Sequence, residues 1–480
     1  MLIFALVLAS AATSLPEEPA PPAVRFETYA TTGADGARIT GELGRIFVPE
    51  DRAKQGGAEV EIAFVRFRTR SENPGPPVFY LAGGPGASGV ELCVRPATGR
   101  LVRLLDSHDV IGIDQRGTGL SRPNLAGTGS FAWDLPLDRA ITRDEMIAAA
   151  TSAAERCVAH WKERGVDLAA YHTDASADDI EAVRRALDIE RIITWGESYG
   201  THLSLAYLRR HGGHVARSVL LRVEGPDHTL KLPSTTQRHL ERFHELVAAD
   251  PSFREDIPDV LGLVKGLLVR LTQQPVPVVA MQAGGEEPIV LGAFDLQYWL
   301  SNALGLAFEM RDVPAALLAM SNGDWSALGT FAIDARRGET GSAMALAMDC
   351  ASGASAARLA RIEAERRDPA NLLGDAVNVP YPSACAPCGP SALGETFRAP
   401  IRSDVPVLFV SGDLDARTPP ENVDEIRAGF ARGVHVLVKN AGHEPIEMMS
   451  AEFRALLGDF LAGRKVESRT IELPAPRFRR

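Results

Sequence analysis

The 480-residue sequence lacks the features that mark nucleic-acid-binding and membrane-spanning proteins. It has no long basic run, and 51 Lys and Arg against 62 Asp and Glu give a formal net charge of −11. We therefore expect no nucleic-acid partner. The apolar run at residues 2–9 is too short to cross a bilayer, and no internal repeat is present. The contents of 45% hydrophobic and 24% charged residues are those of an ordinary globular protein.

Motifs for bound nucleotides and metals are also missing. The Gly-rich segment at residues 83–89 has neither the Lys-Ser/Thr of a phosphate-binding loop nor a dinucleotide-binding fingerprint. Cys385 and Cys388 form a Cys-x-x-Cys pair, but no second Cys/His pair lies at zinc-finger spacing. We therefore expect no metal and no cofactor, and up to two disulfides with one thiol left over. The pairing stays open among the five cysteines: Cys93, Cys157, Cys350, Cys385 and Cys388.

The N-terminal residues have the pattern of an export signal. Small residues and then a Pro-rich segment follow the apolar run, which predicts a signal peptide over residues 1–14 and a linker over 15–30. No Lys or Arg precedes the apolar run, so only the α-amine supplies the positive charge such signals carry. We expect an exported protein, periplasmic or secreted, and its cysteines agree with that compartment.

Strand-like segments alternate with helical periodicity on both sides of a long interruption. Several of the strand-like segments are continuous apolar runs, which predicts an α/β protein with a mostly parallel sheet covered on both faces. The first two segments are close together and are expected to pair antiparallel. The eight segments span residues 44–49, 59–69, 77–82, 109–114, 191–195, 218–223, 405–411 and 434–439.

The interruption, residues 226–400, is interpreted as a mainly helical cap. It lies between the sixth and seventh predicted strands and would cover the carboxyl ends of the sheet, where open α/β folds bind ligands. Residues 31–225 and 401–480 then form the two parts of the core. The predicted cap helices span residues 239–250, 258–273, 294–310, 313–321 and 355–367, with short β-like pieces at 276–280 and 289–291.

The segment Gly196-Glu197-Ser198-Tyr199-Gly200 stands between a strand-like run and a helical run. A Gly-x-Ser-x-Gly at such a junction is the nucleophile elbow of the α/β-hydrolase fold. The turn is so tight that its flanking residues must be small, and it lifts the serine hydroxyl above the sheet edge. Ser198 is therefore the candidate nucleophile.

A serine hydroxyl needs a base within hydrogen-bond reach and a third group that orients the base. In this fold the chain order is serine, acid, histidine. Of eleven histidines, only His443 lies in a Gly-flanked loop directly after a late apolar strand, so it is the candidate base. Asp413 and Asp415 both follow the seventh predicted strand, and the residues alone leave the choice between them open.

Two backbone N–H groups are needed to stabilise the oxyanion that forms during attack. One is expected from Tyr199, directly after the nucleophile. The other is expected from the Gly-rich loop, at Gly84, because Pro85 has no N–H to donate. Glu224, at the start of the cap, is a candidate partner for a substrate ammonium, with a surface or hinge role as the alternative. Arg116 is expected to brace loops.

Four motifs together resemble the prolyl aminopeptidase and tripeptidyl aminopeptidase group of α/β-hydrolases: the segments 81–86, 114–121, 196–201 and 412–419. The resemblance extends from about residue 33 to residue 461 and is weak in the cap. It assigns the acid of the triad to Asp415, within Gly-x-x-Asp-x-x-Thr-Pro. It implies a serine peptidase that releases residues or short peptides from free N-termini, without a metal.

Position 82 distinguishes this chain from prolyl aminopeptidases and from serine carboxypeptidases. Prolyl aminopeptidases usually have His there, whereas serine carboxypeptidases have Asn, which holds the substrate's terminal carboxylate. Ala82 cannot donate that bond, and Arg116 stands where carboxypeptidases have Pro. Cleavage at the amino end is therefore favoured over a carboxypeptidase, a small-molecule esterase or amidase, and an inactive hydrolase-fold binding module. Side-chain preference, residues released per turnover and oligomeric state stay open.

Overall fold

The computed structural model describes residues 20–32, 38–93, 101–126, 131–390 and 393–480. The predicted signal peptide over residues 1–14 and the first part of the predicted linker lie outside these ranges. None of the described helices is long and apolar enough to cross a membrane.

A ten-stranded sheet forms the centre of the described chain. Its strands are β1 (Arg25–Thr32), β2 (Arg38–Pro49), β3 (Glu59–Phe67), β4 (Gly75–Leu81), β5 (His108–Ile113), β6 (Ile192–Glu197), β7 (Val215–Leu221), β10 (Val407–Gly412), β11 (Gly433–Lys439) and β12 (Arg469–Glu472). They lie in the order β1-β2-β3-β5-β4-β6-β7-β10-β11-β12. The pairs from β5 to β12 are parallel, and β1, β2 and β3 pair antiparallel. The predicted α/β class, the mostly parallel sheet and the antiparallel first pair are confirmed.

The sheet has two strands more than the eight predicted, one at each edge. Strand β1 is largely exposed, and β12 has four residues of which only Ile471 is buried. An edge strand with so few buried side chains carries no apolar pattern, so sequence periodicity does not reveal it. Strand β1 also occupies residues 25–30, which were expected to be linker.

Helices cover both faces of the sheet and bury its apolar side chains. One face packs Phe79 and Ile192 against several helices, and the other packs Trp195 and Val219 against the C-terminal helix. The core helices are α1 (Gly89–Leu92), α2 (Arg143–Glu163), α3 (Thr173–Ala186), α4 (Tyr199–His211), α14 (Glu421–Ile426) and α15 (Ala451–Leu461). This double cover explains why the central strands read as continuous apolar runs.

The segment between β7 and β10 is mainly helical, as predicted, with one antiparallel hairpin. Its helices are α5 (Pro233–Ala249), α6 (Val260–Gln273), α7 (Ala293–Ala303), α8 (Ala307–Met310), α9 (Val313–Ser321), α10 (Ser326–Arg336), α11 (Ala343–Ser352), α12 (Ala356–Arg366) and α13 (Glu395–Arg398). The hairpin strands are β8 (Val276–Gln282) and β9 (Gly285–Leu291). The division of the chain into domains at residues 226 and 400 stays a prediction.

Several helices of this segment differ from expectation, since α10, α11 and the short α13 lie outside the predicted helices. The helix predicted over residues 294–310 is interrupted, because α7 ends at Ala303 and α8 begins at Ala307. Helix α11 carries no apolar stripe, since eight of its ten residues are buried, and a helix buried on all sides shows no helical periodicity.

One disulfide joins two of the cysteines in the described chain. Cys350 of α11 bonds to Cys385, with their Cα atoms 5.2 Å apart. Cys93, Cys157 and Cys388 are free thiols. Cys385 and Cys388 therefore do not bond to each other, because Cys385 is joined to Cys350 of α11.

Candidate active site

The predicted elbow lies between β6 and α4. Ser198 has φ 54° and ψ −125°, a strained conformation for a residue other than glycine. Its N–H donates to the Leu221 carbonyl at 3.0 Å. A Cβ on Gly196 would lie 2.4 Å from the Gly200 carbonyl oxygen, and one on Gly200 would lie 2.0 Å from the Leu81 carbonyl oxygen. Close backbone approach therefore requires glycine on both sides of the serine.

Ser198, His443 and Asp415 form a continuous hydrogen-bonded chain. Nε2 of His443 lies 3.0 Å from Oγ of Ser198, and Nδ1 lies 2.8 Å from Oδ2 of Asp415. An Nδ1–H that donates to the carboxylate leaves Nε2 free to accept the serine proton. The three residues follow β6, β10 and β11. The parallel sheet therefore brings Ser198 and His443 together, although they are 245 positions apart in the sequence.

Asp415 is buried, and its carboxylate is fully hydrogen-bonded. Oδ1 accepts the N–H groups of Arg417 and Thr418 at 2.9 and 2.8 Å, and Oδ2 accepts the Thr418 hydroxyl at 2.7 Å. Burial favours the neutral acid. The charge of His443 and the hydrogen bonds from His443 and Thr418 outweigh burial and hold the pKa of Asp415 well below its usual range. Asp415 is therefore a carboxylate at any working pH.

Asp413, the competing acid, has other partners. Its Oδ1 accepts the Asn440 N–H at 2.6 Å, and its Oδ2 lies 3.6 Å from Nε of Arg242. The contacts of the described residues include none between Asp413 and His443. The geometry thus joins His443 to Asp415, the acid that the sequence motif indicates.

The Gly-rich loop after β4 passes directly beside the elbow. A Cβ on Gly83 would lie 3.0 Å from Cβ of Ser198 and 2.8 Å from the Glu197 carbonyl oxygen. Gly84 follows with φ 115°, a conformation that favours glycine. Tyr199 is the first residue of α4, a position whose N–H has no partner within the helix. The two predicted oxyanion donors therefore lie on segments that meet at Ser198, and their role stays a prediction.

Arg116 braces loops, as its position in the sequence suggested. Its guanidinium is fully buried and pairs with Asp179 at 2.8 Å. It also donates to the carbonyl oxygens of Glu50 and Ala170 at 2.6 and 2.7 Å.

Glu224 lies where the chain leaves β7 for the helical segment. Its N–H donates to Thr201 Oγ1 at 2.7 Å, and its Oε2 lies 3.2 Å from Nζ of Lys231. Burial opposes ionisation, but the charges of Lys231 and His202 lower the pKa of Glu224. Glu224 is therefore an anion that already has one cationic neighbour.

Asp349 of α11 was not among the predicted site residues. Burial and the nearby Glu224 carboxylate raise the pKa of Asp349 to about 8, with Lys231 acting in the opposite direction. The group formed by Glu224, Asp349 and Lys231 has two carboxyl groups and one ammonium. One signal in the sequence points to Asp349: it is the single charged residue in a helix of small and apolar residues, a setting in which charged side chains are rare.

A chain of buried hydrogen bonds connects α11 to the elbow helix. Nδ1 of His202 lies 3.0 Å from the Gly225 carbonyl oxygen, and Nε2 lies 3.1 Å from Oγ of Ser352. Oγ1 of Thr173 lies 3.2 Å from the same Ser352 Oγ and 3.0 Å from the Tyr199 hydroxyl.

These bonds also link the two segments that carry the carboxyl groups. Gly225 follows Glu224 directly, and Ser352 lies one helical turn beyond Asp349 on the same face of α11. The imidazole of His202 contacts both Gly225 and Ser352, so it fixes the separation of the segments that carry the carboxyl groups. Within the described residues, no cluster of three or more His, Cys, Asp or Glu side chains could hold a metal ion.

Comparison with known families agrees with this geometry. Residues 76–261 match the family described as alpha/beta hydrolase fold, and residues 375–470 match the family described as TAP-like protein. The chain thus has the α/β-hydrolase fold, with similarity to these two families over those residues. The first match covers the elbow, and the second covers the segment with Asp415 and His443.

Curated relatives of this hydrolase include three peptidases. The tripeptidyl aminopeptidase of Streptomyces coelicolor is 31% identical over 196 residues, 38% of this chain and 35% of the relative. The serine protease Hip1 of Mycobacterium bovis is 28% identical over 185 residues, 37% of this chain and 35% of the relative. The proline iminopeptidase of Neisseria meningitidis serogroup A is 30% identical over 151 residues, 31% of this chain and 34% of the relative. The chain thus spans about a third of the length of the curated relatives it matches.

Proposed function

We propose that this hydrolase is a serine peptidase that releases residues or short peptides from the free N-termini of peptides. The observation that carries the proposal is the chain from Ser198 through His443 to Asp415, with contacts of 3.0 and 2.8 Å at a nucleophile elbow. The match to the TAP-like family and the three related peptidases support a peptide substrate.

In the proposed mechanism Ser198 Oγ attacks the scissile carbonyl while His443 Nε2 accepts its proton. The N–H groups of Gly84 and Tyr199 stabilise the tetrahedral oxyanion. His443 then donates the proton to the leaving amine, and Asp415 holds the imidazole in the reactive tautomer throughout. A water activated by His443 hydrolyses the acyl-enzyme and restores the serine.

The charges around Glu224 support cleavage at the amino end. Lys231 balances one of the two carboxyl groups, and a peptide's terminal ammonium would balance the other. In this proposal the bound ammonium pairs with an ionised Asp349. A substrate's terminal carboxylate would instead meet two acidic groups, which argues against the carboxypeptidase alternative.

The first test asks whether Ser198 performs the chemistry. Ser198→Ala should lower kcat by roughly a thousandfold or more and abolish labelling by a fluorophosphonate probe. Ser321→Ala, an exposed serine on α9, is the matched control and should behave as wild type. Turnover that survives in Ser198→Ala would refute the mechanism. Absence of labelling in the wild type would favour an inactive binding module.

The second test asks which end of the peptide is recognised. Peptide p-nitroanilides with free N-termini should be cleaved faster than their acetylated counterparts, whereas equal rates on both would remove the aminopeptidase proposal. Mass spectrometry of a digested peptide library identifies the end from which residues are lost. Release from the carboxyl end would instead establish the carboxypeptidase alternative.

Asp349→Asn tests the proposed ammonium partner. It should lower kcat/KM on free N-termini by about tenfold, the cost of one charge-assisted contact, and leave acetylated substrates unchanged. Asp334→Asn on α10 removes an exposed carboxylate and is the control. An unchanged preference for free N-termini in Asp349→Asn would exclude Asp349 from recognition.

A further inference from the structure

Arg222 is a buried cation beneath the triad that no sequence motif indicates. It follows the last residue of β7, is 5% exposed, and donates its N–H to the Val410 carbonyl of β10 at 2.8 Å. Its φ of 58° is unusual for a residue other than glycine. Backbone strain of this kind persists only where surrounding contacts enforce it, and it is concentrated at functional sites.

The guanidinium of Arg222 contacts the segments that carry two of the three triad residues. One nitrogen lies 2.9 Å from Oε2 of Glu197, the residue directly before Ser198. The other lies 3.2 Å from Oε1 of Glu447, four residues beyond His443. Both carboxylate side chains are largely buried, with 12% and 4% of their surface exposed.

The sheet provides no direct link between these two segments. The elbow follows β6 and the histidine loop follows β11, while β7 and β10 lie between those strands. The backbone ladders therefore link Ser198 to His443 only indirectly, through the three successive pairings β6–β7, β7–β10 and β10–β11. Arg222, at the end of β7, spans that gap with its side chain.

Three carboxylates maintain the charge of Arg222. Burial disfavours the guanidinium, but the charges of Glu447, Glu197 and Asp415 more than offset burial and raise the pKa of Arg222. Its planar fork presents separate nitrogens to the two glutamates, a geometry that a lysine ammonium cannot reproduce. Removing the guanidinium would take one cation away from two buried glutamates at once.

We propose that Arg222 is a positioning residue for the reaction, which holds the elbow and the histidine loop at the separation that the transfer of the Ser198 proton to His443 requires. It acts through Glu197 and Glu447 and does not touch the reacting atoms. The inference rests on the proposed function, in that it assumes hydrolysis by Ser198.

The test compares Arg222→Lys with Arg336→Lys in the full chain. Arg336 is also fully buried and pairs with a buried carboxylate, Asp295, at 2.7 Å, but it lies on α10 away from the triad. Initial rates on an activated p-nitrophenyl ester, rates of fluorophosphonate labelling and melting temperatures are measured for both. The ester makes the result independent of which peptide end the enzyme prefers.

Arg222→Lys should lower kcat by about 10- to 100-fold, with KM within about twofold, because small misplacements of reacting groups have costs of this size. Arg336→Lys should lower the melting temperature and leave kcat unchanged. Wild-type kcat in Arg222→Lys, or an equal loss of kcat in both variants, would overturn the proposal.

Glu447→Gln leaves Arg222 in place and keeps the proposal testable if Arg222→Lys folds poorly. Glu447→Gln should lower kcat by about tenfold, and in combination with Arg222→Lys it should add little, because the two residues act as one unit. Additive losses would show that Arg222 does not act through Glu447. A wild-type protein that shows no serine-dependent hydrolysis would refute the proposed function. An active wild type together with a fully active Arg222→Lys would refute this inference alone.

Discussion

The triad and the acidic pair beside it differ in how the fold holds them. Ser198, Asp415 and His443 follow parallel strands, so the backbone ladder of the sheet sets their approximate positions. Asp349 lies on α11, which hydrogen bonds through Ser352 hold against the elbow helix and which one disulfide joins to Cys385 of the same segment between β7 and β10. Backbone pairing therefore positions the triad, whereas side-chain contacts position the carboxyl group of the proposed ammonium site. Substitutions in the second region should change which substrates are cleaved more than whether cleavage occurs.

Helix α11 belongs in sequence to the segment between β7 and β10, but its side chains pack in the main core. Its residues Met344, Leu346 and Met348 belong to the apolar cluster of the main core, together with Leu203 of the elbow helix. Helices α5 to α10 build a separate cluster, with members such as Leu240, Leu267, Leu300, Leu317 and Trp325. Asp349 is thus carried by the part of the insertion that packs most closely on the catalytic core.

The largest expected effect separates the two acids of the seventh predicted strand. Asp415→Asn should lower kcat by roughly ten-thousandfold, because an amide beside Nδ1 favours the wrong imidazole tautomer. Asp413→Asn removes a carboxylate of equal size two residues away, which contacts Asn440 and Arg242, and it should keep kcat within a few fold. Steady-state rates on the activated ester measure both. Comparable losses in the two variants would mean that the loop as a whole, and not Asp415, is what catalysis requires.

Sequence reasoning selected the three side chains that the structure brings together, because each of them follows a strand that has a clear apolar pattern. It left Asp413 and Asp415 undecided, since local pattern does not show which side chain points toward an imidazole that is distant in sequence. Only the resemblance of the Gly-x-x-Asp-x-x-Thr-Pro motif indicated Asp415.

Asp349 and Arg222 could not be found in this way, for a physical reason. Their significance lies in charges that tertiary packing brings close: Glu224 for Asp349, and Glu197 and Glu447 for Arg222. Local periodicity carries no information about such contacts. Helix α11 was missed for a related reason, because burial on all sides removes the apolar stripe that would reveal it.

A smaller effect is expected from the disulfide that secures α11. Cys385→Ser opens a link between residues 35 positions apart and should lower the free energy of unfolding by about 3 to 4 kcal/mol, measured by denaturant titration. Because α11 carries Asp349, KM for peptide p-nitroanilides with free N-termini should rise several-fold. Rates on their acetylated counterparts should change little. Cys388→Ser, at a free thiol three residues away, is the control for both measurements. Equal changes on both substrates would show that the disulfide supports the fold without orienting Asp349.

The smallest expected effect concerns the pH dependence of stability and bears directly on the acidic pair. The pKa of Asp349 is about 8 in the folded protein and is expected near its ordinary value of 3.8 in the unfolded chain. The folded state therefore binds the Asp349 proton more tightly, so the contribution of Asp349 to stability falls as pH rises from about 4 to about 8. Asp349→Asn removes this fall. Its melting temperature relative to wild type should increase across that range, by about 1 to 3 °C at pH 8.5 compared with pH 4.5.

Asp334→Asn, which removes an exposed carboxylate, should show no such trend. A difference between Asp349→Asn and wild type that stays constant with pH would mean that the Glu224 carboxylate does not disfavour ionisation of Asp349. If the trend appears together with the loss of preference for free N-termini in Asp349→Asn, the Asp349 carboxyl group both destabilises the free protein and contributes to substrate binding. That combination is expected of a residue kept for binding and not for stability, since functional sites are commonly built at a cost to the fold. The triad would then differ from Asp349 in its energetics as well as in its support. The carboxylate of Asp415 is stabilised by its neighbours in the free enzyme, whereas Lys231 offsets only part of the cost of ionising Asp349 and the substrate supplies the rest.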